Sequence, residues 1–245
     1  MIEARHLVLD RGAGGVSIDD VCLRVDRGEI YALFGPAGSG KTTLIDLFTG
    51  ARTPDRGQAI ISDIDAHASP LAVRGLASFV TVAAAWHGTL TVAANVQFLA
   101  RMAGVGNGAS RTAIENALRR AGMAERDFDR SMRDSSRGIS MLAWLALASL
   151  RKTPALLIDE PTAGLDERTA AEVYDDLLEF RRAGVAVLVT TSDVSLATKI
   201  ADRVGIIKAG RIAVEHTRAE FVGQGLEQFE SLGRGDESAP DTAAG

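Results

Sequence analysis

Gly35, Pro36, Ala37, Gly38, Ser39, Gly40, Lys41 and Thr42 follow one another in the order G-x-x-x-x-G-K-[ST]. That order suits a loop built around phosphate. The glycines let successive backbone N–H groups turn inward around phosphate oxygens, and the start of a helix adds the positive end of its dipole. Lys41 offers a full charge to β- and γ-phosphates, Thr42 a hydroxyl for magnesium, and Thr43 a hydroxyl for an α-phosphate oxygen. A second constellation lies far along the chain, where the apolar run from Ala155 to Ile158 ends in Asp159 and Glu160. Ligands collect at the carboxyl ends of parallel strands, so an acid there would face the phosphate loop. Asp159 would hold magnesium through water, and Glu160 would polarise the water that attacks a γ-phosphate. A chance glycine turn would account for the first run alone, and a solvated acidic turn for the second. Together they point to phosphate chemistry.

The elements needed to position these residues are legible in the patterning. Ile2 to Leu9 and Val16 to Val25 alternate as half-exposed strands do, and Ile30 to Phe34 is a continuous apolar run of the buried-strand kind. A helix pattern opens at Lys41 and stops at Gly50, and Gln58 to Ile64 reads as a further strand after the turn residues Pro54 to Gly57. The middle of the chain is helical in character, with helices predicted over Thr91–Met102, Arg111–Ala121 and Ile139–Leu150. Strands return at Ala155–Ile158, Val185–Thr190 and Val204–Ile207, with a helix over about Glu167–Arg182 between the first two. Strand-helix alternation with a helical insertion predicts an α/β fold, and no internal repeat is visible.

The 245 residues carry a net charge of −5 and are 46% hydrophobic, which excludes a disordered chain, a collagen and a disulfide scaffold. The mild acidity gives no reason to expect nucleic acid as a partner. The single cysteine, Cys22, can form no internal disulfide, and this suits a reducing compartment. The longest strongly apolar run, Met141 to Leu150, is followed directly by Arg151 and Lys152 and is half the length of a spanning helix, about 20 residues. No secretory signal is expected from the first residues. Gly233 to Gly245 is rich in Gly, Ala, Asp and Glu, so a disordered tail is expected over 231–245. The four histidines, His6, His67, His87 and His216, read as surface residues.

With these residues in view, the chain resembles the nucleotide-binding subunits of ABC (ATP-binding cassette) transporters. The run Asp159-Glu160-Pro161-Thr162-Ala163-Gly164-Leu165-Asp166 is nearly private to that family, as is a helical insertion between the two phosphate motifs. The resemblance covers about residues 2 to 222. It implies a P-loop NTPase core: a mixed, mainly parallel sheet with flanking helices, an N-terminal antiparallel β portion and a helical subdomain inserted over about 86–140. The ATP-binding domain would span 1–230. It further implies ATP and Mg2+ as cofactors, and a homo- or heterodimer with two ATP molecules between the subunits. Ala163 to Asp166 would cross that interface. An integral membrane permease would hold the chain on the cytoplasmic, inner face of the membrane, and the segment from Thr89 to Gly104 is similar to exporter-type subunits. A soluble ABC ATPase acting on ribosomes or DNA would usually show a second cassette or long coiled-coil insertions. A small-molecule kinase would need a phosphoacceptor lid.

The chain also departs from the pattern of the family it resembles. The signature segment is best matched by Ser135-Ser136-Arg137-Gly138-Ile139, in which Ser136 and Gly138 would bond the γ-phosphate of the facing subunit; a serine helix cap is the plainer reading. Val82 stands where a glutamine normally meets magnesium and the attacking water, and Ser192 where a histidine normally meets the γ-phosphate. The adenine-stacking aromatic near Arg11 is missing. Trp144 reads as core. Val82 to Trp86 reads either as an apolar floor for the permease or as a buried strand end. The expected function is ATP binding with slow hydrolysis that drives a separate permease. The alternative is an ATP-gated dimerisation module with little turnover beside a more active partner.

Overall fold

The computed structural model describes residues 1–10, 16–80, 86–106 and 110–225. Val82 and Arg11 lie outside them, as does the expected tail. An antiparallel sheet is built from β1 (Ile2–Asp10), β2 (Val16–Val25), β4 (Arg56–Ile61) and β5 (Ile64–Asp65), in the order β2-β1-β4-β5. The main sheet has six strands. They are β3 (Ile30–Phe34), β6 (Ala77–Val80), β7 (Ala155–Asp159), β8 (Ala186–Thr191), β9 (Arg203–Lys208) and β10 (Arg211–Thr217), in the order β10-β9-β3-β8-β7-β6. All its pairings are parallel except β9 with β10.

The helices are α1 (Lys41–Thr49), α2 (Pro70–Leu76), α3 (Val92–Met102), α4 (Arg111–Arg120), α5 (Arg137–Arg151), α6 (Glu167–Arg182) and α7 (Val194–Lys199). The mixed α/β fold with an antiparallel portion and a helical insertion is the one expected. Strands β3, β7 and β8 are buried throughout, as a parallel sheet covered on both faces requires. Successive side chains serve opposite faces. Ile30, Ala32 and Phe34 pack among α3 to α7, whereas Tyr31 and Leu33 pack among α1 and the antiparallel sheet.

Several local features differ from the sequence expectation. The strand expected over Gln58–Ile64 is two strands, because Ser62 and Asp63 adopt left-handed φ values of 47° and 66° and turn the chain back. The short elements α2, α7 and β10 were not expected; with six or seven residues each and few of them buried, periodicity gives little signal. Only His6 and His87 are exposed. His67 and His216 are half-buried, and the His67 Nε2 is enclosed without a hydrogen-bond partner among the described residues. Trp144 packs against the core as expected. No helix among the described residues is long and apolar enough to cross a membrane.

Candidate functional site

Register sets the site. Phe34 at the end of β3 pairs with Thr191 of β8, and Asp159 at the end of β7 pairs with Thr190 of β8. The carboxyl ends of β3, β8 and β7 are therefore level, and the segments leaving them emerge side by side. Gly35 continues the ladder by donating its N–H to the Thr191 carbonyl at 3.2 Å.

From there the chain curls into α1 through Gly38 and Gly40, whose φ values of 80° and 111° only glycine adopts without strain. The curl encloses the Ser39 hydroxyl, which is buried and has no hydrogen-bond partner among the described residues. An orphaned buried hydroxyl is costly unless a ligand uses it, and a phosphate oxygen is the natural acceptor here. Lys41 is buried, and its Nζ donates to the Gly35 and Pro36 carbonyls at 2.6 and 3.0 Å. The same ammonium forms an ion pair with Glu160 Oε1 at 3.2 Å.

Both carboxylates are fixed by hydroxyls. Asp159 is buried; its Oδ2 accepts from Thr42 Oγ1 at 2.8 Å, and its Oδ1 accepts from the Thr190 hydroxyl in a short contact. Glu160 turns out of the strand with a left-handed φ of 47°, and its N–H bonds the Thr190 carbonyl. Its Oε2 accepts from the Ser192 N–H at 3.0 Å and from the Ser192 hydroxyl at 3.2 Å. Lys41, Thr42, Asp159, Glu160 and Ser192 thus form one connected cluster. Such a cluster presents a cation, a hydroxyl and two oriented carboxylates beside the glycine-rich loop. It is equipped to bind a polyphosphate and to orient a water against it.

Other expected residues sit apart from this network. Ser136 caps α5, its hydroxyl oxygen accepting from the Ile139 N–H at 3.2 Å, so the plainer reading of that serine describes its bond within the chain. Gly138 is buried against Thr169, where an added β-carbon would stand 2.8 Å from the threonine methyl. Arg137 between them reaches the Glu160 carbonyl at 3.4 Å. Thr43 is buried in the first turn of α1.

Two supporting residues escaped sequence reasoning. Thr190 clamps Asp159. Asp193 caps α7 and accepts from Thr162 Oγ1 at 2.9 Å and from the Tyr174 hydroxyl at 3.1 Å, joining the segments that follow β7 and β8. Burial, and then the charge of Asp193, push the Tyr174 phenol up to about 12, so it remains a donor. A threonine and an aspartate flanking Ser192 were the available signal.

This fold and cluster define a P-loop nucleotide-binding protein. The family model for ABC transporters matches residues 18–163, and the chain belongs to that family. It is 32% identical over 205 residues to the daunorubicin resistance ATP-binding protein DrrA3 of Streptomyces coeruleorubidus, covering 84% of this chain and 65% of that one. To the nickel import ATP-binding protein NikD of Pseudomonas putida it is 32% identical, covering 86% of each. The chain spans just under two thirds of the length of the drug-resistance relatives. Among solved structures, an ATP-binding subunit of an ABC transporter superposes with a TM-score of 0.81 at 26% identity, covering 95% of this chain and 98% of that one. The dimeric cassette MJ0796 shares the fold, with a TM-score of 0.80 at 23% identity and coverage of 89% and 99%.

Proposed function

We propose that the chain binds ATP with Mg2+ and hydrolyses it as the energy-supplying subunit of a membrane exporter. In this reading it dimerises, as a homo- or heterodimer, and docks on the cytoplasmic side of an integral membrane permease. The observation that carries it is the cluster of Lys41, Thr42, Asp159 and Glu160 beside a loop whose buried Ser39 hydroxyl lacks a partner among the described residues. The loop from Gly35 to Gly40 would wrap the phosphates, offering backbone N–H groups from the residues beyond Pro36, and Thr43 would reach the α-phosphate. Lys41 would exchange its contacts with the Gly35 and Pro36 carbonyls for phosphate oxygens. Thr42 and Asp159 would hold magnesium, which supplies charge neutralisation to the phosphates when bound. Glu160 would accept a hydrogen bond from the attacking water, with Ser192 and Lys41 fixing its orientation. Ser136 and Gly138 would face the nucleotide of the opposite subunit.

The drug-resistance names of several relatives support export, whereas the nickel importer supports only the ATP-driven unit. Exposed Phe98 and Met102 on α3 and exposed Leu90 before it offer an apolar face for the permease. Trp86 lies half-buried nearby, its Nε1 donating to Ser140 Oγ at 2.6 Å and its ring 4.2 Å from that of Trp144. It would form a fixed edge of that face rather than a free anchor.

The second reading, a dimerisation module with little turnover, draws on Ser192. This residue spends its hydroxyl on Glu160 where the family places a histidine for the γ-phosphate. Titration of the purified protein with ATP, with and without magnesium, tests the proposal alongside phosphate release. Magnesium-dependent binding with release supports it, binding without release favours the second reading, and absence of binding overturns both.

A further inference from the structure

A different part of the molecule carries chemistry that nucleotide binding does not use. On β1 and β2, Ala4 pairs with Leu23 and Leu7 with Val21, so Arg5 and His6 together stand opposite Cys22 alone. The next pairing, Leu9 with Ile18, leaves Asp19 and Asp20 opposite Val8. Two bulges thus lie back to back, one on each strand, and each re-aims a side chain. His6 and Asp20 hold left-handed φ values of 49° and 53° there. Gly57 on β4, with φ 85°, packs so closely against the Arg5 and His6 carbonyls that any side chain there would collide with them. The bulge at His6 is therefore fixed from both sides.

The result is a convergence of three unlike donors. His6 Nδ1 is 2.9 Å from Asp20 Oδ1 and 3.6 Å from Cys22 Sγ, and all three donor atoms lie within 4.8 Å of one another. The His6 backbone N–H also points at the sulfur, 3.3 Å away. A tetrahedral zinc ion with nitrogen and oxygen about 2.0–2.1 Å away and sulfur about 2.3 Å away sets donor separations of roughly 3.3–3.6 Å. The observed spacings bracket that range. All three residues are exposed, so an ion can enter directly from solvent.

We propose that His6, Asp20 and Cys22 form a binding site for a thiophilic divalent ion, of zinc type, with water completing the coordination. The donor set sorts the metals. One imidazole, one carboxylate and one thiolate suit zinc, whereas magnesium demands near-octahedral oxygen ligation. This centre is accordingly separate from any magnesium held with nucleotide at Thr42 and Asp159. On binding, the thiol of Cys22 gives its proton to water and the sulfur becomes a ligand. The ion then clips β1 to β2 across their paired bulges.

Cobalt(II) and zinc(II) test this on the full chain without nucleotide. Added cobalt should produce a sulfur-to-metal charge-transfer band and the intense visible bands of a four-coordinate ion, both erased by equimolar zinc. Cys22 is the single cysteine, so its alkylation by iodoacetamide reads this site alone. Zinc should slow that alkylation by about tenfold or more, because a coordinated sulfur is a poorer nucleophile. His6→Asn and Asp20→Asn remove good ligands while keeping a residue that tolerates left-handed φ. Each should weaken zinc about 10-fold or more, since even an outer partner of a metal ligand contributes that much. Nucleotide binding should be unaltered in both variants, confirming their fold. The proposal is overturned by absence of the charge-transfer band, or by zinc protection that is the same in both variants as in the wild type.

Discussion

Ser192 donates both its backbone N–H and its hydroxyl to one carboxylate oxygen of Glu160, while Lys41 holds the other. The carboxylate is thereby oriented from two sides. The same arrangement commits the Ser192 hydroxyl to the acid, and a serine side chain is too short to serve the γ-phosphate as an imidazole would. Replacing Ser192 with histidine should raise phosphate release, most clearly together with Val82→Gln. One preorganised donor contributes about 10²–10³ in rate at such sites, which bounds the gain. Ser192→Ala keeps the N–H and should change the rate little. Steady-state ATPase measurements on the three variants check this, and no response to Ser192→His would leave an ordinary transporter ATPase.

Lys41→Ala should abolish ATP binding if, as proposed, the ammonium supplies the charge that meets the β- and γ-phosphates. It also leaves Glu160 Oε1 without its ion-pair partner. Equilibrium titration with a fluorescent ATP analogue reads the first effect. Binding as tight as in the parent would remove the phosphate-loop assignment.

Thr190→Val keeps the volume of a fully buried side chain but takes away the hydroxyl that Asp159 Oδ1 accepts from. A buried carboxylate oxygen left unsatisfied costs about 1–3 kcal/mol. Chemical denaturation should show a loss of that size, together with a higher magnesium requirement for ATP binding. Unchanged stability and magnesium dependence would mean Thr42 alone suffices to hold Asp159.

Stability should fall as pH rises toward neutrality because of Asp176. Burial, and then the fields of Glu172, Asp175 and Glu179, push its carboxyl from 3.8 up to about 7. Its Oδ2 is buried without a hydrogen-bond partner among the described residues, beside a cavity of about 770 Å³ that Arg27, Arg120 and Lys152 also line. Between pH 4 and 7 the folded chain keeps a proton that the unfolded chain releases. The stabilisation is therefore complete below pH 4 and is lost as pH climbs through 7, with a slope of at most about 1.4 kcal/mol per pH unit. Denaturant midpoints measured across that range should show the decline in wild type and much less of it in Asp176→Asn.

The parts of the site that share a run of sequence were readable from it. Gly35 to Thr42 and Asp159-Glu160 each stand out by residue type and spacing, and continuous apolar runs marked β3, β7 and β8 as buried strands. What stayed hidden depends on strand order. The placement of β8 between β3 and β7 brings Thr190 to Asp159 and Ser192 to Glu160, and nothing local encodes that order. Asp193 was hidden for the same reason, since its partners Thr162 and Tyr174 belong to another segment. Likewise, β1 and β2 were legible as alternating strands, but their paired bulges arise from register, which alternation does not reveal.

The central claim, that Glu160 orients the attacking water at a nucleotide held by the phosphate loop, is tested most directly by Glu160→Gln. Glutamine keeps the shape and the hydrogen bond from Ser192 while removing the charge. ATP binding and phosphate release should be measured side by side on this variant and the wild type, with magnesium present. Binding should remain within a few-fold of the wild type, while release falls by about 10²-fold or more, as loss of a positioned base requires. Undiminished phosphate release by Glu160→Gln would contradict the account.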